Sequence, residues 1–486
     1  MLAIFHVCRR IFQQLVVWTF LRPRVRRLRT AVRTRPPKRW LHLLVFAALS
    51  CSAPGDRPTE DAPLGTVAQP LVDTDSDGLD DDWETTHFGN LSQTDSGDPD
   101  SDGMTNLEEY THGFNPTVAD AFDDADGDRF PNIFEIRNSS DPNDDGSTPT
   151  PGYVVNGAGG GTHTTVSAAV SAANGQSNTY PIIGIAPGVY TGSANATVTL
   201  PSSTKKFLVI GLEGAANTII DGNGSMYGWN VYATAVISSL TVRKTWLAMY
   251  VAGASVEARF VDLLVRDNAS ATYTSGVHVA SSAKVAIVGS TFLNNTGPTS
   301  AQQIWIGGGA GIVTNTVVWG QSAGPMLAKA SSATLVTNHC LVKGQTLSGT
   351  GNLAGSTDPK LRSDGHLLWD SPLRGAGGSV TQSRVDMDGE LRPTSTPDIG
   401  VDQFVDSDSD DLADQWELEH AGNLTTLTSL SQDADSDGLT NEQEHANDTA
   451  PTVADTDGDG VSDGDEVTLH GSDPLKVDTD GDEMPE

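Results

Sequence analysis

The chain has 486 residues, with 63 Asp and Glu against 29 Lys and Arg and a net charge of −34. That length makes room for two to four domains, and so acidic a surface repels phosphate backbones, so no nucleic acid partner is expected. Three cysteines (Cys8, Cys51, Cys340) provide no disulfide framework, so stability has to come from packing and bound ions.

The first 50 residues run against the general charge. They carry eleven Arg or Lys and no acid, and a basic run over residues 22–39 leads into LHLLVFAALS, residues 41–50. An apolar stretch this short cannot span a bilayer, but it suits an export signal, read here as residues 1–50. The basic region is long for such a signal and points to a start nearer Val32. The junction Ala48-Leu49-Ser50-Cys51 resembles a bacterial lipobox, departing from it at Ala48, where the family usually carries Leu. The resemblance implies lipidation of Cys51, membrane attachment through that lipid, and a place at the bacterial outer membrane or cell surface. Residues 51–70, rich in Pro, Ala, Gly and Thr, read as a flexible tether.

Residues 73–84 read DTDSDGLDDDWE. Counted as a twelve-residue loop, they place Asp73, Asp75 and Asp77 at positions 1, 3 and 5, Gly78 at 6, Leu79 at 7, Asp81 at 9 and Glu84 at 12. This is the ligand spacing of an EF-hand-type calcium loop. Calcium is a hard, large ion that takes roughly six to eight oxygens. A short loop can wrap it only if alternate side chains turn inward and one residue turns sharply, which Gly does by tolerating positive φ. Position 7 gives its carbonyl, position 9 acts directly or through water, and the position-12 Glu closes the site with both oxygens.

The pattern recurs. The second loop offers Asp98, Asp100, Asp102, Met104, Asn106 and Glu109, and the third Asp124, Asp126, Asp128, Phe130, Asn132 and Glu135. After a long gap come Asp406, Asp408, Asp410, Leu412, Asp414 and Glu417, then Asp433, Asp435, Asp437, Leu439, Asn441 and Glu444. The sixth holds Asp455, Asp457, Asp459, Val461, Asp463 and Glu466, and a further copy opens with Asp478, Asp480 and Asp482. Position 6 is Arg129 in the third loop and Asp411 in the fourth. A left-handed Arg costs roughly 1–2 kcal/mol and adds positive charge, so the third loop is expected to be the weakest complete site.

A short helical turn accompanies each Glu, then Gly or Asn, then Asn-Pro or Asp-Pro, as in EEYTHGFNPTVAD and DEVTLHGSDPLKVD. No amphipathic helix precedes a loop, which disfavours a calmodulin-like sensor. Residues 71–148 and 405–486 therefore resemble bacterial thrombospondin type 3 repeats, which implies bound Ca2+ and compact, elongated segments with little core of their own. They would serve as metal-stiffened spacers. His87, His112, His420, His445 and His470 follow the loops and read as polar residues on solvated turns.

Residues 151–404 change texture to Gly, Ala, Ser, Thr, Val and Ile. Val166, Ala169, Val170 and Ala173 recur on one face of a short helix, and the chain then yields short β runs such as FLVIGLEG and NTVVWGQS. Taking Val242, Val265, Leu293, Val318 and Val342 as equivalent gives steps of 23, 28, 25 and 24 residues. Such a period marks a solenoid. The texture resembles the right-handed parallel β-helix of the pectin-lyase-like superfamily, with the helix capping its first coil. Residues 358–404, with DPKL, SPL, DGELRP and PDIG, resemble the closing segment of choice-of-anchor surface proteins.

The expected fold is all-β: a right-handed parallel β-helix solenoid flanked by two calcium-binding repeat segments with short helical turns. The superfamily resemblance implies action on acidic polysaccharides. The catalytic candidates are Arg243 and Arg266 with Asp262 and Asp267, beside Lys244, which would suit a calcium-dependent polysaccharide lyase; a hydrolase needs two carboxylates facing one bond, and no paired-Asp motif supplies them. Trp229, Trp246, Trp305 and Trp319 could stack on sugar, though some must be core. Adhesion or glycan binding is the favoured expectation, with an extracellular polysaccharide or a surface protein as partner.

Overall fold

The computed structural model describes residues 72–479 apart from 273, 299–302, 322–323 and 380. The export signal, Cys51, the tether, and Asp480 and Asp482 lie outside the described residues. Among the described residues, no helix is long and apolar enough to cross a membrane.

The chain winds into a parallel β-solenoid of about seven turns. Its strands stack into three sheets of eight, seven and six strands, each pairing in parallel with the equivalent strand one coil away. Strands in such a ladder sit about 4.8 Å apart, so equivalent side chains form columns. One inward column of the eight-stranded sheet runs Ile183, Val209, Ile237, Phe260, Ile287, Val313. The six-stranded sheet supplies Val231, Val251, Val279 and Ile306, and all of these are buried. Cys340 lies in the same core, its thiol pushed up to about 12 by burial.

The seven-stranded sheet corrects one expectation. Its inward column is Ile220, Val242, Val265, Phe292, Val318, Val342. Phe292, and not Leu293, is the equivalent residue, because Leu293 pairs outward between Arg266 and Trp319. All three residues of the strand Thr291–Leu293 are buried, so the alternation that normally fixes register is absent there.

The helix Val166–Gly175 buries Val166, Ala169, Val170 and Ala173 against the first coils. The Thr165 side chain caps it by accepting from the Ala168 N–H, and Asn195 Oδ1 accepts from the Val166 N–H at 3.0 Å.

The repeat segments are not free spacers. The outward column of the eight-stranded sheet begins Ile182, Leu208, Val236, an apolar face that needs cover. Phe122, Phe130, Ile133 and Phe134 of the first segment pack on it, and Arg259 lies 4.3 Å from the centre of the Phe122 ring. Residues 358–404 do not stop at the far end but fold back along the outer face of the seven-stranded sheet. Leu367, Leu373 and Ile399 meet Val317 and Leu341, while Met387 and Val401 meet Leu264 and Ala215. This return strip touches both repeat segments: Arg384 Nη1 donates to the Ala125 carbonyl (3.3 Å) and Arg362 Nε to Asp448 Oδ1 (2.7 Å).

Candidate metal centre

Each loop is shaped by its own carboxylates. In the first, Asp73 accepts from the Asp77 N–H (3.2 Å) and Gly78 N–H (3.1 Å), and Asp77 accepts from the Leu79 N–H (3.0 Å). The sixth repeats this with Asp455, Gly460, Asp459 and Val461. Position 6 always has positive φ: +95° at Gly78, +80° at Arg129, +71° at Asp411. A short helix starts at position 9 of all six complete loops, at Asp81, Asn106, Asn132, Asp414, Asn441 and Asp463, and places Glu at position 12 in its first turn or directly after it. In the second loop, Asp98, Asp100 and Asp102 bring one oxygen each within 4.8 Å of one another, and Asp102, Glu109 and Asp120 do the same.

The position-12 glutamates test whether a cation fits. Glu84, Glu109, Glu135, Glu417, Glu444 and Glu466 all have zero exposure. Both carboxylate oxygens of Glu109, Glu417 and Glu444 lack a hydrogen-bond partner among the described residues. Burying a carboxylate with neither donor nor counter-charge is strongly unfavourable. Burial, and then the neighbouring Asp carboxylates, push Glu135 up to about 9, Glu109 and Glu444 to about 8, and Glu417 to about 7. A hard dication removes both causes at once, and the donor set of carboxylates and carbonyls is the one such an ion takes.

Position 9 has a second task beside the one expected. Asp81 accepts from the Thr74 N–H (2.8 Å) and Oγ1 (2.5 Å). Asp414 and Asp463 accept in the same way from Ser407 and Thr456. Where position 9 is Asn, its amide donates to a carbonyl twelve residues back: Asn106 to Thr94, Asn132 to Asp120, Asn441 to Ser429. Position 9 is a latch. The signal was in the sequence: Asp at position 9 goes with Thr or Ser at position 2, and Asn goes with Pro99, Ala125 or Ala434.

Arg129 turns its charge away from the loop, donating Nη1 to the Leu212 carbonyl at 3.2 Å. What remains against calcium at this loop is backbone strain. An Arg129→Gly variant is expected to gain roughly five- to thirty-fold in affinity there, the equivalent of the roughly 1–2 kcal/mol strain. Titration calorimetry showing no gain would discount strain as the limit.

The catalytic candidates are not assembled. Arg243 and Arg266 sit side by side in register, outward on the seven-stranded sheet, but Arg243 Nε pairs with Asp221 (2.8 Å) and Arg266 Nη1 with Asp267 (2.8 Å). Asp262 is buried under the return strip, accepting from Ser383 Oγ at 2.5 Å. Of the tryptophans, Trp229 is fully buried core, whereas Trp246 is 41 % exposed. Trp305 is half-buried and faces outward, and Lys343 lies over the ring of Trp319. Trp83 and Trp416 join successive repeats, through Tyr110 (5.4 Å) and His445 (4.9 Å). His445 also departs from expectation: it is buried, not solvated.

Fold and loops define a β-solenoid protein carrying calcium-type acidic repeats. Residues 455–477, which hold the sixth loop and the turn after it, match the bacterial TSP3 repeat, a calcium-binding type. No curated protein matches the chain. Among solved structures, pectin methylesterase from carrot is similar at 15 % identity, covering 43 % of this chain and 79 % of that one, with a TM-score of 0.28. The deglycosylated Aspergillus niger pectin methylesterase gives 12 %, 43 %, 88 % and 0.26, and Escherichia coli YbhC 14 %, 51 %, 81 % and 0.28. These are likenesses of fold alone.

Proposed function

We propose that this is an exported, surface-held β-helix that binds an extracellular glycan on the outer face of its six-stranded sheet, while calcium holds the flanking repeats folded. The observation that carries the reading is one outward column: Asn230, Tyr250, His278 and Trp305 stand in register on successive coils. The Tyr250 and His278 rings are stacked at 5.7 Å and 17°, and Tyr232 meets Tyr250 edge-on at 6.2 Å. Burial pushes His278 below its ordinary value, so its ring is neutral at pH 7. Half-buried amphipathic rings with wet edges suit the apolar face of a sugar. In the repeats, positions 1, 3, 5, 7 and 12 hold the calcium, with position 9 directly or through water, and the ion neutralises the clustered carboxylates. The export signal and a lipid on Cys51 place the protein at the cell surface.

A second reading has one observation in its favour. A cleft of about 420 Å³ lies beside Arg266, Asp364, His366 and Asp388, and a polysaccharide lyase or hydrolase would use such a space. Its Arg and His are already committed to ion pairs: Arg266 to Asp267, and His366 to Asp364 and Asp388 at 2.9 Å each.

One experiment separates the readings. Polysaccharides are incubated with the wild type and a Tyr250→Ala/Trp305→Ala variant, and both retention and chain length are scored. Retention of intact chains, weakened at least tenfold in the variant, is expected. Cleavage abolished by Arg266→Ala would make the cleft an active site, and absence of retention would defeat the glycan reading.

A further inference from the structure

The return strip and the second repeat segment meet at a small cavity of about 20 Å³, lined by His366, Asp388, Glu390, Asp402, Glu419 and His445. Three features of this place are unexplained by the solenoid or the calcium loops. First, His366, Asp388 and Asp402 each bring one donor atom within 4.8 Å of the others. Second, His445 is 1 % exposed, and neither ring nitrogen has a hydrogen-bond partner among the described residues. A buried imidazole normally bonds through at least one nitrogen. Third, the lining is short of positive charge: four carboxylates face Arg362 and two histidines.

We propose that this cavity is a site for one divalent transition ion of the Zn2+ class, held by His366, Asp388, Asp402 and His445, and distinct from the calcium loops. The donors decide the ion. Calcium and magnesium prefer all-oxygen shells with more ligands, whereas two imidazoles with two carboxylates suit a four-coordinate zinc-type centre. The size agrees, since the cavity has room for about one water-sized body. The spacing agrees for His366, Asp388 and Asp402, while His445 stands in the cavity wall and has to close in on the ion. Bonds of about 2.0 Å at the tetrahedral angle put neighbouring donors about 3.3 Å apart, and His366 Nε2 already lies 2.9 Å from Asp388 Oδ2. The ion replaces that direct hydrogen bond by bridging it.

The ligands come from separate pieces of chain. His366, Asp388 and Asp402 belong to the return strip, and His445 to the helix Asn441–Asn447, one residue after the position-12 Glu444. The ion therefore fastens the second repeat segment to the solenoid's side, next to the Arg362–Asp448 pair. His445 as the fourth ligand explains why one histidine after a loop is buried while His87, His112, His420 and His470 are not.

The test uses the full chain with its loops saturated by calcium. After dialysis against Zn2+, metal analysis is expected to find one zinc per chain. Co2+ loaded in its place is expected to give the visible d–d bands of a site containing nitrogen ligands. His445→Gln and Asp388→Asn should each weaken Zn2+ at least 100-fold, while Asp75→Asn in the first calcium loop, which does not line the cavity, leaves it unchanged. Substoichiometric zinc, or a wild-type Co2+ spectrum no different from the aqueous ion, overturns the site without reference to any variant. So does zinc that follows Asp75→Asn in place of His445→Gln.

Discussion

Stripping calcium from the intact protein with EDTA is expected to unfold both repeat segments and leave the middle coils of the solenoid standing. At ten to a hundred times its dissociation constant, one calcium contributes about 1.4–2.7 kcal/mol. Three loops per segment then supply roughly 4–8 kcal/mol, comparable to the roughly 5–15 kcal/mol that holds a whole domain together. Little else holds the second segment: Leu412, Trp416 and Leu427 are the buried residues of its apolar cluster. The first segment also rests on Ile182, Leu208 and Val236, so it should resist longer and bare those residues when it goes. The inward columns of the solenoid contain no ionised group, and EDTA does not touch them. Hydrogen exchange reads the difference: amides in the helices Asp414–Ala421 and Asn441–Asn447 lose protection in EDTA, and those in Glu257–Val261 and Lys284–Val288 keep it. Unchanged protection in the repeat helices would sink the calcium assignment.

The pH dependence should reverse with the metal. Without calcium, Glu109, Glu135, Glu417 and Glu444 have folded values raised to between about 7 and about 9, by burial first and neighbouring carboxylates second. A raised folded value means that the native state holds the proton more tightly than the unfolded chain. Its stabilising contribution is complete below the ordinary Glu value and is lost as pH climbs through the folded one. In EDTA the repeats should therefore regain folded structure only toward pH 5, and lose it at falling temperatures as pH rises. With calcium bound, the ionised form is the one held, and protons compete with the ion, so the melting temperature should rise over the lower part of that range. Calorimetric scans at several pH values check both slopes.

The solenoid and the loops were legible in the sequence for different reasons. The loops follow a local code, six ligand positions in twelve residues, and local codes need no knowledge of tertiary contacts. The coil period survives because each coil repeats the same three strands. What failed to show was cover. Leu293 reads like Phe292 because both faces of that strand are buried, erasing the alternation that distinguishes in from out. Asp262 reads as a catalytic candidate beside Arg266, and only the fold brings Ser383 over it from 121 residues away. His445 reads with the other histidines after the loops, though it stands one residue after its Glu and they stand three or four, and its burial depends on a contact with Trp416 of the preceding repeat. The latch at position 9 is the exception: the pairing of positions 2 and 9 was readable in six copies of one chain.

Replacing Asn268 by Leu is expected to cost roughly 3–5 kcal/mol, among the larger losses a single substitution produces. Asn268 is fully buried where the chain leaves the seven-stranded sheet. Its Oδ1 accepts from the Thr245 N–H and Oγ1, both at 2.7 Å. Its Nδ2 donates to the Val242 carbonyl (3.1 Å) and to Asn295 Oδ1 (2.8 Å). Asn295 passes the chain on, donating to the Val265 carbonyl and to Gln303 Oε1, and Gln303 donates to the Trp319 carbonyl. A leucine of similar volume keeps the packing but strands the Thr245 N–H and the Val242 carbonyl, at about 1–3 kcal/mol for each unpaired buried group. Asn295→Leu should cost a similar amount by the same route. The two losses should not add, because the Asn268–Asn295 bond can be lost only once and the double variant replaces both of its ends with apolar groups. Denaturant melts of the two single variants and the double variant measure that coupling. In a solenoid each coil contacts only its neighbours, so hydrogen exchange should loosen the coils around Thr245 and Gln303 while Ile182–Ile185 stays protected. A double variant as unstable as the sum of the singles would mean that the asparagines act separately and not as one buried chain.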